Sequence, residues 1–95
     1  MWQDFEPDVS YLIGDTWVAF SKDVLGLLRK IDPQGKHLRA IEKGHVAPRG
    51  QSGLVPSEVR GYTLKTKVLG RCGAVRVHGR YLADGTVCFD LITRH

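Results

Sequence analysis

The stretch VRVHGRYLADGTVCFDLITRH (75–95) decides the reading of this chain. Val75, Val77 and Tyr81 alternate with Arg76, His78 and Arg80; beyond Asp84-Gly85, Val87, Phe89 and Leu91 alternate with Cys88, Asp90 and Ile92. Successive side chains of a strand point to opposite faces, so a period of two marks half-buried strands, here joined as a hairpin. A two-residue Asp84-Gly85 loop would set Arg80 opposite Phe89 and mix the polar and apolar faces. A three-residue loop, 83–85 with Gly85 left-handed, avoids that conflict. It pairs Tyr81 with Val87 and Val77 with Leu91 on the buried face, and sets His78 opposite Asp90 on the other.

Upstream, Tyr62, Leu64 and Val68 alternate with Thr63, Lys65 and Lys67, and Gly70 and Gly73 flank a turn. Residues 62–94 therefore read as an antiparallel meander, since parallel neighbours would need crossover segments that this spacing does not allow. Residues 36–61 read as a basic, loop-rich segment punctuated by Pro48, Gly50, Gly53 and Pro56. A short helix from His37 to Lys43 fits there, with Leu38 and Ile41 facing inward. Val24, Leu27, Leu28 and Ile31 recur at helical spacing, extended by Val18 and Phe20, with Asp15 or Ser21 as the cap. Asp32-Pro33-Gln34-Gly35 ends that element, because proline disfavours the helical region at the residue before it. Residues 15–32 are thus expected to be helical and 1–14 to form a loosely packed lead. The fold expected is α+β: an N-terminal helix, or two, packed on a C-terminal three- to four-stranded antiparallel sheet, in a single domain over 1–95.

A second hydrophobic core would not fit in 95 residues. No apolar run is long enough for a membrane span, and the acidic residues 1–7 lack the basic start of a signal peptide. Two cysteines, Cys72 and Cys88, supply no disulfide framework and read as free thiols of a reducing compartment. Four scattered histidines do not make a zinc site. The charge is unevenly spread. Residues 1–34 sum to −3, residues 35–95 to +7, and all four histidines (His37, His45, His78, His95) lie in the second part. An acidic front and a basic, histidine-bearing back imply a surface that meets phosphates.

The chemistry concentrates on the face carrying Arg76, His78 and Arg80, with Lys65 and Lys67 on the preceding strand. Guanidinium groups hold phosphate oxygens bidentately, and a histidine near neutral pKa moves protons. RNA cleavage by its own 2′-hydroxyl needs a base, an acid and cations around the phosphorane, with no metal and no cofactor. Lys36-His37, Lys43, His45 and Arg49 form a second candidate group, folding over the sheet as a further proton-transfer group and phosphate clamps. His95, directly after Thr93 and Arg94, would sit at the sheet edge. No phosphate-cradling glycine motif, nucleophile elbow or zinc-protease helix is present in the sequence.

The segments GKHLRAIEKGHVAPRGQSG (35–53), YTLKTKVLG (62–70) and VRVHGRYLADGTVCFDLITRH (75–95) are similar to C-terminal toxin domains of bacterial competition systems. The order helix, basic linker, antiparallel Arg/His sheet resembles the barnase, EndoU, colicin and RelE-type ribonuclease fold. The resemblance implies metal-free RNA cleavage, with Lys36, His37, Arg76, His78, Thr93 and His95 as candidate residues. It also implies an acidic cognate immunity or antitoxin protein. Action would be in the cytoplasm, including after delivery from another cell as part of a larger secreted protein. Two other readings stand beside the endoribonuclease: a non-catalytic nucleic-acid-binding or regulatory module, and a protein-interaction domain of the inhibitor or immunity kind.

Overall fold

A computed structural model describes residues 1–44, 52–67 and 75–94. After a 3-10 turn at Trp2–Asp4 come β1 (Tyr11–Ile13), β2 (Thr16–Phe20), α1 (Lys22–Ile31) and α2 (Lys36–Lys43). The chain continues with β3 (Leu54–Pro56), β4 (Leu64–Thr66), β5 (Val75–Tyr81) and β6 (Val87–Arg94). All six strands form one sheet in the order β1-β2-β6-β5-β4-β3.

This corrects the expected architecture. The protein is not helices packed on a three- or four-stranded antiparallel sheet; among the described residues six strands in a mixed sheet outweigh two short helices. Two physical reasons account for the difference. Residues 11–20 are a hairpin, not a lead and the start of a helix: Tyr11, Leu12 and Ile13 pair with Val18, Trp17 and Thr16 around a tight Gly14-Asp15 turn. Aromatic and β-branched residues dominate this stretch and favour the pleated surface. The second reason is that β2 pairs in parallel with β6. Parallel pairing needs a long crossover, and everything between Phe20 and Val87 supplies it.

Other expectations survive in detail. Ser21 caps α1, its Oγ accepting from the Val24 amide at 3.2 Å, and α1 stops at Ile31 before Asp32-Pro33. The short helix α2 forms with Ile41 inward. Gly85 adopts φ +88°, Leu82 N–H bonds Thr86 O at 2.8 Å, and Tyr81 pairs with Val87. The register then departs from expectation. A bulge between His78 and Gly79 sets Val77 against Ile92 and His78 against Leu91, so His78 does not face Asp90 directly.

One face of the sheet holds the core. Val18, Phe20, Leu64, Val77, Val87 and Phe89 pack against Trp2, Val24, Leu25, Leu28 and Ile41. Phe20 and Phe89 stack with centroids 5.6 Å apart. Gly79 lies under this stack, where a Cβ would come within 2.7 Å of Val87 Cγ1 and 2.9 Å of the Phe89 ring; only glycine fits. Both helices thus cover the core face and leave the opposite, outer face for charged residues. Among the described residues no helix is long and apolar enough to cross a membrane.

Candidate functional site

The outer face of β4, β5 and β6 carries Lys65, Arg76, His78, Arg80, Asp90 and Thr93, and the β3–β4 connection lays Ser57, Glu58 and Tyr62 over them. Alternation places these side chains. Leu64 and Thr66 turn to the core while Lys65, registered with His78, turns outward.

His78 has no solvent-accessible surface, yet its neighbours are polar. Its Nδ1 lies 2.8 Å from Ser57 Oγ and its Nε2 lies 2.7 Å from Thr93 Oγ1. Ser57 Oγ already accepts from the Val59 amide at 3.1 Å. Each hydroxyl can donate or accept, so both ring nitrogens are satisfied in either tautomer; in one of them Ser57 donates to Nδ1 and the Nε2 proton goes to Thr93. Burial holds the His78 pKa below the ordinary value; Lys65 and Arg76 push the same way, against the pull of Glu58. The lowered pKa favours the neutral imidazole at neutral pH.

Beside it, Lys65 Nζ is ion-paired with the Glu58 carboxylate, and Arg76 Nη1 stands 3.8 Å from the other Glu58 oxygen. Lys65 holds the Glu58 carboxyl below its usual range. Arg76 Nε is buried with no hydrogen-bond partner among the described residues. Tyr62 meets the His78 ring edge-on at 6.0 Å and lies under the Arg80 guanidinium at 5.6 Å. Arg80 is bound to Asp90 at 2.6 Å, and Asp90 beside the Tyr62 phenol, with burial, raises its pKa.

The residues expected from sequence are thereby divided. His78, Arg76, Thr93, Lys65 and Arg80 share one face. His37, Lys36 and Lys43 do not join them, because α2 lies on the core side. His37 is fully buried there, its Nδ1 3.1 Å from Thr66 Oγ1. Asp32 accepts from the Lys36 amide at 2.8 Å, the His37 amide at 2.9 Å and Trp2 Nε1 at 3.3 Å. These bonds tie the start of α2 to α1 and to the N-terminal turn, which is a structural duty. Lys43 is exposed in the last turn of α2. Lys67 is half-buried just past β4, its amide bonding Gly53 O at 3.1 Å. His45, Arg49, Cys72 and His95 lie outside the described residues. Cys88 has no disulfide partner among the described residues.

Ser57, Glu58 and Tyr62 were not legible as site residues. Ser57 and Glu58 sit in a connection without periodicity, Tyr62 alternates in sequence with the apolar Leu64 and Val68 and so reads as buried, and only the antiparallel return of β4 carries all three over His78. Among the described residues no three His, Cys, Asp or Glu side chains converge as a cation site. The chain matches no protein-family model, no curated protein and no solved structure.

Proposed function

We propose that this protein is a metal-independent endoribonuclease of the toxin kind, working through the outer sheet face. The observation that carries the reading is His78, favoured in its neutral form, held between two hydroxyls and flanked by Lys65 and Arg76. RNA transesterification asks for this set. In the tautomer with its proton on Nε2, buried His78 takes the 2′-hydroxyl proton through the Ser57 hydroxyl, which passes its own hydrogen to Nδ1 as the 2′-oxygen attacks phosphorus. The imidazolium so formed releases its Nε2 proton, by way of Thr93, to the departing 5′-oxygen, and a 2′,3′-cyclic phosphate results. Lys65 and Arg76 stabilise the charge that builds on the non-bridging oxygens. The same cationic face is where an acidic immunity or antitoxin protein would bind.

The burial of His78, and the occupation of Lys65 by Glu58, favour a second reading in which the face binds nucleic acid or protein without cleaving it. Incubation with total bacterial RNA in EDTA separates the two. The ribonuclease yields discrete fragments ending in 2′,3′-cyclic phosphate. Intact RNA, bound with an affinity that falls steeply with salt, would instead support a binding module.

A further inference from the structure

The β3–β4 connection is tied down at both ends. Ser57 N–H bonds Thr63 O at 3.2 Å and Thr63 N–H bonds Gly79 O at 2.9 Å. Between these ties Glu58 reaches over two cations from the solvent side. Its side chain is 62% exposed, against 9% for Lys65 and 23% for Arg76. A lysine so enclosed requires an anion, since an ammonium out of water and without a counter-charge is strongly destabilising. Glu58 meets that need for Lys65 but serves Arg76 poorly. The 3.8 Å gap to Nη1 exceeds hydrogen-bond reach, and Nε has no partner among the described residues. One planar carboxylate does not satisfy both groups. A tetrahedral phosphate, with an oxygen for Lys65 and two for the Arg76 fork, has the shape to do so.

We infer that Glu58 is a built-in stand-in for phosphate: it keeps the Lys65–Arg76 site closed at rest, and a phosphate group of the substrate displaces it. This rests on the reading of the outer face as an RNA site and adds how that site is gated. Glu58 then acts as an internal competitor, and its removal exposes the cations to the ligand.

The test compares inorganic phosphate binding by calorimetry, and RNA cleavage, in the wild type and Glu58→Gln. The inference expects Glu58→Gln to bind phosphate about tenfold more tightly and to cleave RNA at least as fast. Loss of cleavage with phosphate affinity unchanged would overturn it, making Glu58 a proton acceptor and leaving the ribonuclease reading intact. Tighter phosphate binding by Glu58→Gln while neither protein cleaves RNA would support the gate and remove the ribonuclease reading alone. No phosphate binding by either protein would overturn the inference. A wild-type measurement stands apart from the variant's folding. Saturating phosphate should move the titration midpoint of the Glu58 carboxyl carbon signal upward, as Lys65 lets go. A midpoint unmoved by bound phosphate would contradict displacement.

Discussion

Two buried histidines, one on each face of the sheet, make the most instructive comparison in this molecule. In both, Nδ1 lies against a hydroxyl that also accepts a backbone amide: Ser57 Oγ from Val59 for His78, and Thr66 Oγ1 from Val77 at 3.0 Å for His37. In both, burial holds the pKa below the ordinary value. They differ in what lies beyond. Nε2 of His78 meets Thr93 beside Lys65, Arg76 and Glu58, whereas Nε2 of His37 is buried with no partner among the described residues. Burial and a low pKa are therefore shared by both, and the charged surroundings and the Thr93 contact at Nε2 are what set His78 apart as the candidate for proton transfer.

Breaking the comparison on the outer face should have the largest effect. His78→Ala is expected to lower RNA cleavage by about 100-fold or more while the thermal melt stays cooperative. Single-turnover rates check this, and a rate within a few-fold of wild type would place the chemistry elsewhere. On the core face the effect falls on stability instead. His37→Ala should cost about 2–4 kcal/mol by urea unfolding, through a cavity and the loss of the Thr66 contact, with the activity of the folded fraction retained.

Acid sharpens the contrast. An unfolded histidine takes its proton near pH 6.5, about the free value, while both folded imidazoles resist it. Between the folded and unfolded values the unfolded chain binds more protons. The stabilisation is therefore fully present above about pH 6.5 and is lost as pH falls toward the folded values. Urea midpoints compared at about pH 7.5 and about pH 5.5 should drop in the wild type, and drop less in His37→Leu. Equal drops would mean that His37 does not titrate differently on folding. The smallest effect belongs to Thr93→Val, which removes one hydrogen bond of about 1 kcal/mol. Cleavage should slow by about tenfold at most, and the protein should stay folded.

The alternation of β5 and β6, the Gly85 loop, the Ser21 cap and the short helix α2 could all be read from sequence, because each depends on local chemistry. The Tyr11–Phe20 hairpin was hidden because Val18 and Phe20 also fit the helical spacing of α1. The parallel pairing of β2 with β6 joins Val18 to Val87, far apart in the chain, and leaves no local signature. The Arg-X-His-X-Arg face with Lys65 on the preceding strand could be read from alternation, whereas Thr93 enters only through the resemblance and its contact with His78 leaves no local signal. The His78–Leu91 register was not, since a bulge beside Gly79 answers to the crowding of Val87 and Phe89 across the strands. His37 was misleading for a plain reason: a basic Lys36-His37 pair looks the same in sequence whether it faces substrate or the inside of a helix junction.

The central claim, that the His78 face and not the His37 face meets RNA, is tested most directly by imidazole ¹⁵N spectra. These would be recorded with and without a short RNA whose cleavage site carries a 2′-deoxyribose. Both ring nitrogens of His78 should shift on binding, as Ser57 and Thr93 exchange partners, while the His37 signals stay in place. A shifted His37 beside an unmoved His78 would contradict it.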